Sequence, residues 1–220
     1  MSALDPRLDV LPPAQQALWR ELGEVPRRFV LYGGTAIALR LGHRASIDFD
    51  FFAHDPLDHR ALERDIPFLR DAATLQEEPN ARTVLVARGG ATVKVSFFGD
   101  ITFGRVGLPD ETNDGLVRVA SLLDLGATKI KVLLQRVERK DYLDVAALVA
   151  HGLALEQILG AASALFGPSF NPLVAQKTLA YFEGGDLAEL PVDVRDLLVS
   201  HAARDLRVVA APKISARLEA

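Results

Sequence analysis

The chain has 220 residues, of which 49% are hydrophobic and 25% charged, with a formal net charge of −4. It is long enough for one large domain or two small ones with a sizeable core. The absence of cysteine excludes disulfides, thiolate zinc sites and thiol catalysis. The negative charge argues against a protein that coats nucleic acid by overall charge. No segment reaches about eighteen uninterrupted apolar residues, so we expect a cytoplasmic protein with no membrane partner.

The first half of the chain predicts short strands and helices in alternation. The apolar pattern indicates a helix over residues 13–22, a strand over 29–32, a helix over 35–41 and a strand over 47–52. Residues 57–66 follow with mixed helical spacing.

A β-hairpin is predicted further along. Two alternating segments, residues 82–88 and 92–98, flank the pair Gly89-Gly90, and a glycine pair in this position is typical of a two-residue hairpin turn. Together with the earlier strands, the hairpin predicts a small mixed sheet.

The second half of the chain is predicted to be helical. Ser121, with Asp124 three residues later, resembles a capping box in which Asp replaces Glu. Apolar residues then recur at helical spacing as far as Val149.

Three further helices are predicted over residues 155–164, 172–182 and 192–209. The expected fold class is therefore α+β: a small mixed β-sheet core with flanking helices, followed by a C-terminal helical bundle region. We expect two domains, residues 1–115 with the α/β core and residues 116–220 with the helices that complete the cleft.

Gly33 and Gly34 follow the first predicted strand and precede a helix. Without Cβ atoms they let the backbone turn sharply and bring its N–H groups against an anion, and the helix start adds positive partial charge. Phosphate is therefore the expected ligand. Alone, such a pair is more often only a tight turn.

Asp48 and Asp50 are the second part of the pattern. Alternate residues of a strand share a face, so the two carboxylates project together while Phe49 and Phe51 point into a core. Two converging carboxylates repel each other unless a cation neutralises them, and Mg²⁺ commonly takes one or two carboxylates plus phosphate oxygens. An acid pair alone is usually a solvated strand edge, but a glycine turn beside it indicates a nucleoside triphosphate with magnesium.

This stretch resembles the DNA polymerase β-like nucleotidyltransferase superfamily, whose signature is a hydrophobic residue, a Gly-Gly or Gly-Ser turn, a spacer, and Asp-x-Asp or Asp-x-Glu. It is similar in particular to the AbiEii/AbiGii toxin branch, the nucleotidyltransferase toxins of abortive-infection and toxin–antitoxin systems. The residues that carry this likeness are Gly33-Gly34-Thr35-Ala36, Leu39-Arg40-Leu41-Gly42-His43-Arg44, Ser46, Asp48 and Asp50-Phe51-Phe52.

A second block, in residues 127–145, is similar to the same branch. It contains Lys129, Arg136, Lys140, Asp141 and Asp144. Read as one helix, the block presents cations and acids together on one face. An ordinary surface helix with ion pairs along its length is the alternative, but with both blocks present we favour a site.

The resemblance implies an enzyme that uses Mg²⁺ or Mn²⁺ to transfer a nucleoside monophosphate from a nucleoside triphosphate to a tRNA 3′ end or a protein hydroxyl. It also implies a toxin–antitoxin or phage-defence system with a cognate antitoxin. The catalytic residues would be Asp48, Asp50, Lys129 and Asp144, and the metal ligands Asp48 and Asp50. The nucleotide would be bound by Gly33, Gly34, Thr35, Arg44, Ser46, Lys129, Arg136, Lys140 and Asp141.

One position departs from the superfamily pattern. A third carboxylate is expected on a later strand, where this chain has Ser96. Either two metal-binding acids suffice, or another acid such as Asp100 or Asp144 approaches, or the chemistry is reduced or absent.

Two other functions are possible for the chain. One is a catalytically inactive nucleotidyltransferase fold with a binding or regulatory role. The other is an Asp-x-Asp transferase that binds a nucleotide-sugar diphosphate.

Overall fold

The computed structural model describes residues 3–219. Residues 1, 2 and 220, which belong to the two predicted domains, lie outside the described residues. The described residues contain eight β-strands. They are β1 (Ala3–Leu4), β2 (Val30–Tyr32), β3 (Asp48–Phe52), β4 (Ala73–Glu78), β5 (Ala81–Arg88), β6 (Ala91–Phe98), β7 (Asp110–Thr112) and β8 (Arg118–Val119).

The same residues contain eight α-helices. They are α1 (Pro13–Trp19), α2 (Gly33–Leu41), α3 (His59–Asp65), α4 (Leu122–Val132), α5 (Arg139–Ala150), α6 (Leu155–Phe166), α7 (Pro172–Thr178) and α8 (Val192–Ala202). Short 3₁₀ turns connect several of them. They cover Leu8–Val10, Arg20–Glu24, Pro67–Leu69, Gly167–Ser169 and Leu187–Glu189.

All eight strands form one mixed sheet in the order β1-β7-β8-β2-β3-β6-β5-β4. β3 lies near the middle, antiparallel to β2 and parallel to β6. Helix α2 packs on β2 and β3 and also contacts α4 and α5. This arrangement joins the sheet to the helical region, and it confirms the predicted fold class of a mixed sheet with helices. The division into two domains stays a prediction.

The alternation in β3 forms the core as predicted. Phe49 and Phe51 are buried, and the ring of Phe51 stacks on Phe97 with centroids 5.6 Å apart. The predicted hairpin is also present, since Gly89 and Gly90 both have positive φ between β5 and β6, as a tight two-residue hairpin turn requires.

The helix predicted to continue to Val149 is wrong in one respect, because it is interrupted between α4 and α5. Residues 133–138 turn the chain back, so that α5 packs on α4 and α2. This packing buries Val145 and Leu148, and the apolar burial favours two packed helices over one straight, exposed helix.

Other differences have local causes. The strand β4 was not predicted. All six of its residues are exposed, so the segment has no buried face that would give it an alternating apolar pattern. α2 begins at Gly33 rather than residue 35, and α7 ends at Thr178 rather than residue 182. α8 ends at Ala202 rather than residue 209, because the following segment instead donates a hydrogen bond from Val209 N to Glu156 O, at 3.1 Å.

No single helix in residues 3–219 has the length and apolar character needed to cross a membrane. Residues 139–150 and 155–169 together meet the length and composition requirements, but the two parts are bent by 120°.

Candidate active site

The N-terminus of α2 opens directly from strand β2. Gly33, its first residue, has φ of +77°, which a residue with a Cβ adopts only with strain. No side chain within residues 3–219 caps this helix, whereas Asp58, Ser121 and Asn171 cap α3, α4 and α7. The first N–H groups of α2 therefore present positive partial charge without a side-chain acceptor.

The two glycines face different acids. A Cβ on Gly33 would lie 2.7 Å from Asp50 Oδ2. A Cβ on Gly34 would collide with the guanidinium of Arg44 and lie 3.2 Å from Asp144 Oδ2. The glycine pair thus lets two carboxylates and one guanidinium approach the start of the helix.

Asp48 and Asp50 share one face of β3, as predicted. On the parallel strand β6, Lys94 is in register with Asp48 and Ser96 with Asp50. Lys94 Nζ lies 3.0 Å from Asp48 Oδ2. Burial raises the pKa of Asp50, and the negative charge of Asp48 adds to the shift. Ionised Asp50 therefore costs free energy unless a positive group joins it.

Asp144 is the centre of a buried ionic cluster. Its carboxylate is inaccessible to solvent and receives hydrogen bonds from His43 Nε2 at 2.7 Å and from Arg44 at 2.7 and 3.0 Å. Lys129 Nζ lies 2.9 Å from its other oxygen. Burial alone would raise the pKa of Asp144, but His43, Lys129 and Arg44 together hold it well below its usual range.

Asp141 extends this cluster along α5. Lys129 Nζ lies 2.8 Å from Asp141 Oδ1, and Arg136 donates to the same carboxylate at 2.7 and 3.0 Å. Burial opposes ionisation of Asp141, but the two cations lower its pKa. Lys129 therefore bridges two buried carboxylates. Its positive charge also favours the ionised form of Asp50.

Thr35 and Ser46 connect α2 to β3. Both are buried, and their hydroxyl oxygens lie 2.7 Å apart. Thr35 Oγ1 also donates to the carbonyl of Asp48. These bonds fix the glycine turn beside the acid pair, and they occupy the two hydroxyl groups that the sequence assigned to the nucleotide.

The predicted cation Lys140 and the nearby Arg40 lie apart from the cluster. Lys140 is half-exposed and pairs with Glu138 at 2.9 Å. Arg40 bonds Asp110 at 2.9 Å and the carbonyls of Val119 and Ala120. Reading residues 127–145 as one helix was wrong, because Lys129 and Asp141 meet through the packing of α4 on α5 and not through spacing along one helix.

Of the two acids considered in place of Ser96, only one lies near the turn. Asp100 follows the far end of β6 and receives a bond from Asn80 at 3.4 Å. Asp144 lies beside Gly34, with four donors already on its two oxygens.

Lys94 lies beside Asp48 in the candidate site, and the sequence analysis missed it. The sequence places Lys94 in the predicted strand 92–98, but it does not show that β6 pairs with β3. Lys94 and Ser96 are alternate residues and so share one face of β6, and the parallel register then puts Lys94 beside Asp48.

The acid pair fits a magnesium ion. Carboxylate oxygens are the ligands that Mg²⁺ prefers, and it completes its shell with waters and phosphate oxygens. The raised pKa of Asp50 means that its ionised form is unfavourable, and a bound cation would stabilise that form. Across residues 3–219 no group of three or more acids and histidines is arranged to hold a metal, so phosphate oxygens or water would supply the other ligands.

Comparison with protein families shows to which family the chain belongs. The family model of the nucleotidyl transferase AbiEii toxin, type IV TA system, matches residues 16–212. The chain belongs to this family. It is therefore a nucleotidyltransferase of the AbiEii type, which confirms the resemblance seen in its sequence.

Individual proteins are also similar to this chain. An uncharacterised protein of Aquifex aeolicus strain VF5 is 31% identical over 159 residues, which cover 70% of this chain and 74% of that protein. MenT4, a nucleotidyltransferase toxin from Mycobacterium tuberculosis H37Rv, has a TM-score of 0.59 with 14% identity, over 86% of this chain and 80% of its own. A crystal structure of a nucleotidyltransferase from H. pylori has a TM-score of 0.51 with 19% identity, over 88% of this chain and 82% of that chain. These two structures share the fold.

Proposed function

We propose that this AbiEii-type enzyme transfers a nucleoside monophosphate from a nucleoside triphosphate to an acceptor hydroxyl, on a tRNA 3′ end or a protein, with Mg²⁺ or Mn²⁺ as the metal. The main support is the start of α2, where no side chain among residues 3–219 caps the N–H groups and where Gly33 lies against Asp50 and Gly34 against Arg44. A helix N-terminus in such surroundings suits phosphate oxygens.

The backbone N–H groups of Gly33, Gly34 and Thr35 bind the β- and γ-phosphates in this proposal. Arg44 and Lys129 offset the charge of those phosphates, since both lie on the cluster that borders Gly34. Asp48 and Asp50 would hold the metal, which would supply charge neutralisation at the reacting phosphate.

Asp141 and Asp144 act as positioning residues. Both are closed to solvent, and both have lowered pKa values because of the cations around them. A carboxylate with these properties is a poor proton acceptor, so we assign the two acids to the orientation of Lys129, Arg44 and Arg136.

The reaction forms a bond between the acceptor oxygen and the α-phosphorus and breaks the bond from that phosphorus to the bridging oxygen of the β-phosphate. Pyrophosphate leaves, and the hydroxyl proton passes to solvent. In-line displacement places the attacking and leaving oxygens on opposite sides of the phosphorus. Pyrophosphate would thus remain at the glycine turn while the acceptor enters from the side of Asp48.

The experiment combines purified protein, Mg²⁺, each α-labelled nucleoside triphosphate, and total RNA with cell lysate. We expect label on RNA or protein with wild type and none with Asp48→Ala/Asp50→Ala. Asp193→Ala, at an exposed position of α8, is the matched control and should transfer normally. Equal transfer by the double variant would refute the assigned site, and triphosphate binding without any transfer would favour the inactive scaffold.

The family also suggests biological partners. Because it is described as a toxin of type IV TA systems, we propose that transfer inhibits growth and that a cognate antitoxin opposes it. Expression of wild type, but not of Asp48→Ala/Asp50→Ala, should then slow growth of the host cells.

A further inference from the structure

A cleft of about 480 Å³ is lined in part by Asp48, the acid of the pair that is not in contact with Gly33. Its apolar walls include Pro12, Pro13, Ile47 and Leu85. Ile47 has 58% of its surface exposed, although it is a large aliphatic residue next to a charged site. The cleft is therefore open, largely apolar and directly connected to the proposed chemistry.

The position of the cleft relates it to one reactant. Asp50 lies against Gly33, whereas Asp48, two residues earlier on β3, lines the cleft together with Lys94. Alternate residues of a strand are about 7 Å apart. If the leaving pyrophosphate stays at the glycine turn, in-line attack comes from the cleft side, so this is where an acceptor enters.

Gln15 is a buried polar residue in the wall of this cleft. It lines the cleft and is only 5% exposed. Its Nε2 donates to the carbonyl of Ile47 at 2.9 Å, which fixes the orientation of the amide. Its Oε1 is buried with no hydrogen-bond partner in residues 3–219. An orphaned acceptor of this kind costs free energy until a donor reaches it.

We propose that the cleft binds the terminal nucleobase of an RNA acceptor, with Gln15 Oε1 accepting a hydrogen bond from the base edge. A nucleobase combines a flat ring, suited to apolar walls, with N–H donors on its edge. Lys94, 40% exposed at the cleft, is placed for the adjoining phosphodiester. A protein tyrosine fits less well, because its only side-chain donor is the hydroxyl that must attack the phosphorus.

This inference rests on the proposed function for the direction of attack, but its test measures binding directly. The probes are two short fluorescent oligoribonucleotides that differ only at the 3′ end, one with adenosine and one with an abasic ribose. Anisotropy gives their affinities for wild type, Gln15→Leu and Ala91→Trp, a substitution at an exposed cleft residue that fills the space. Gln16→Leu is the matched control, because Gln16 follows Gln15 on α1 but its Nε2 donates to the carbonyls of Leu8 and Leu11, which precede that helix.

For wild type and Gln16→Leu, we expect the abasic end to weaken binding by about tenfold, which corresponds to roughly 55 Å² of apolar surface that is no longer buried. Ala91→Trp should abolish this difference, and Gln15→Leu should weaken binding of the adenosine probe by about three- to tenfold. The affinity for Mg²⁺-bound triphosphate, measured by calorimetry, should be the same in all four proteins.

Failure of the adenosine probe to bind, or an equal effect of base removal in wild type and Ala91→Trp, would overturn the inference. So would a loss confined to triphosphate affinity, which would assign the cleft to the incoming nucleotide. Base-dependent binding without any label transfer would instead contradict the proposed function and leave the cleft assignment standing.

Discussion

Replacement of Asp144 by Asn is expected to destabilise the protein strongly while leaving the shape of the side chain almost unchanged. The substitution removes the negative charge that holds His43, Arg44 and Lys129 at 2.7 to 3.0 Å. Removal of one partner from a buried ionic group typically costs about 3–5 kcal/mol.

The structure places the cost at the lower end of that range. Lys129 keeps Asp141 as a partner, and the side chain of Arg44 is 18% exposed, so water can reach part of its charge. We therefore expect a loss of about 3 kcal/mol. With an m-value of about 2 kcal/mol/M, the urea midpoint should fall by about 1.5 M.

Urea unfolding followed by circular dichroism measures this change. Asp196→Asn, on the exposed surface of α8, is the matched control and should lie within about 0.5 kcal/mol of wild type. Because the pKa of Asp144 is lowered in the folded state, its contribution is present above a pH of about 4 and is lost only as the pH falls towards the folded pKa. A variant as stable as the control at pH 7 would refute the buried-cluster account.

Three further changes test the site. Gly33→Ala, which places a Cβ 2.7 Å from Asp50 Oδ2, should reduce transfer at least about tenfold; Gly89→Ala, with positive φ but open space, should keep activity, and equal activities would contradict the packing argument. Asp50→Asn should abolish transfer yet raise the free energy of unfolding at pH 7 by about 1 kcal/mol. The reason is that the pKa of Asp50 is raised on folding, so its ionisation costs stability as the pH rises above about 4. Thermal unfolding at pH 4 and pH 7 measures this effect, and a variant less stable than wild type at pH 7 would contradict it. Lys129→Met should weaken triphosphate binding at least about tenfold in calorimetry, whereas the half-exposed Lys140→Met should not; the reverse order would move the site.

The sequence predicted the parts of the site that depend on local pattern. The two carboxylates follow from the period of a strand, and the glycine turn from its place between a strand and a helix. Both depend on neighbouring residues of the chain, so the placement of Gly33, Gly34, Asp48 and Asp50 could be predicted without any tertiary information.

The rest depends on contacts between distant segments. Lys129 and Asp141 meet because the chain turns back after α4, which the continuous apolar pattern to Val149 concealed. Lys94 reaches Asp48 only through the parallel pairing of β3 with β6. The hydroxyls of Thr35 and Ser46 bond each other, an arrangement that residue type alone does not distinguish from phosphate binding.

The most direct test of nucleotidyl transfer compares α-labelled with γ-labelled triphosphate in parallel reactions with total RNA and lysate. The account predicts that α-label enters the acceptor, that γ-label is released as pyrophosphate, and that Asp48→Ala/Asp50→Ala does neither. Transfer of γ-label to the acceptor would show a phosphotransferase instead, and retention of both labels in intact triphosphate would contradict catalysis at this site.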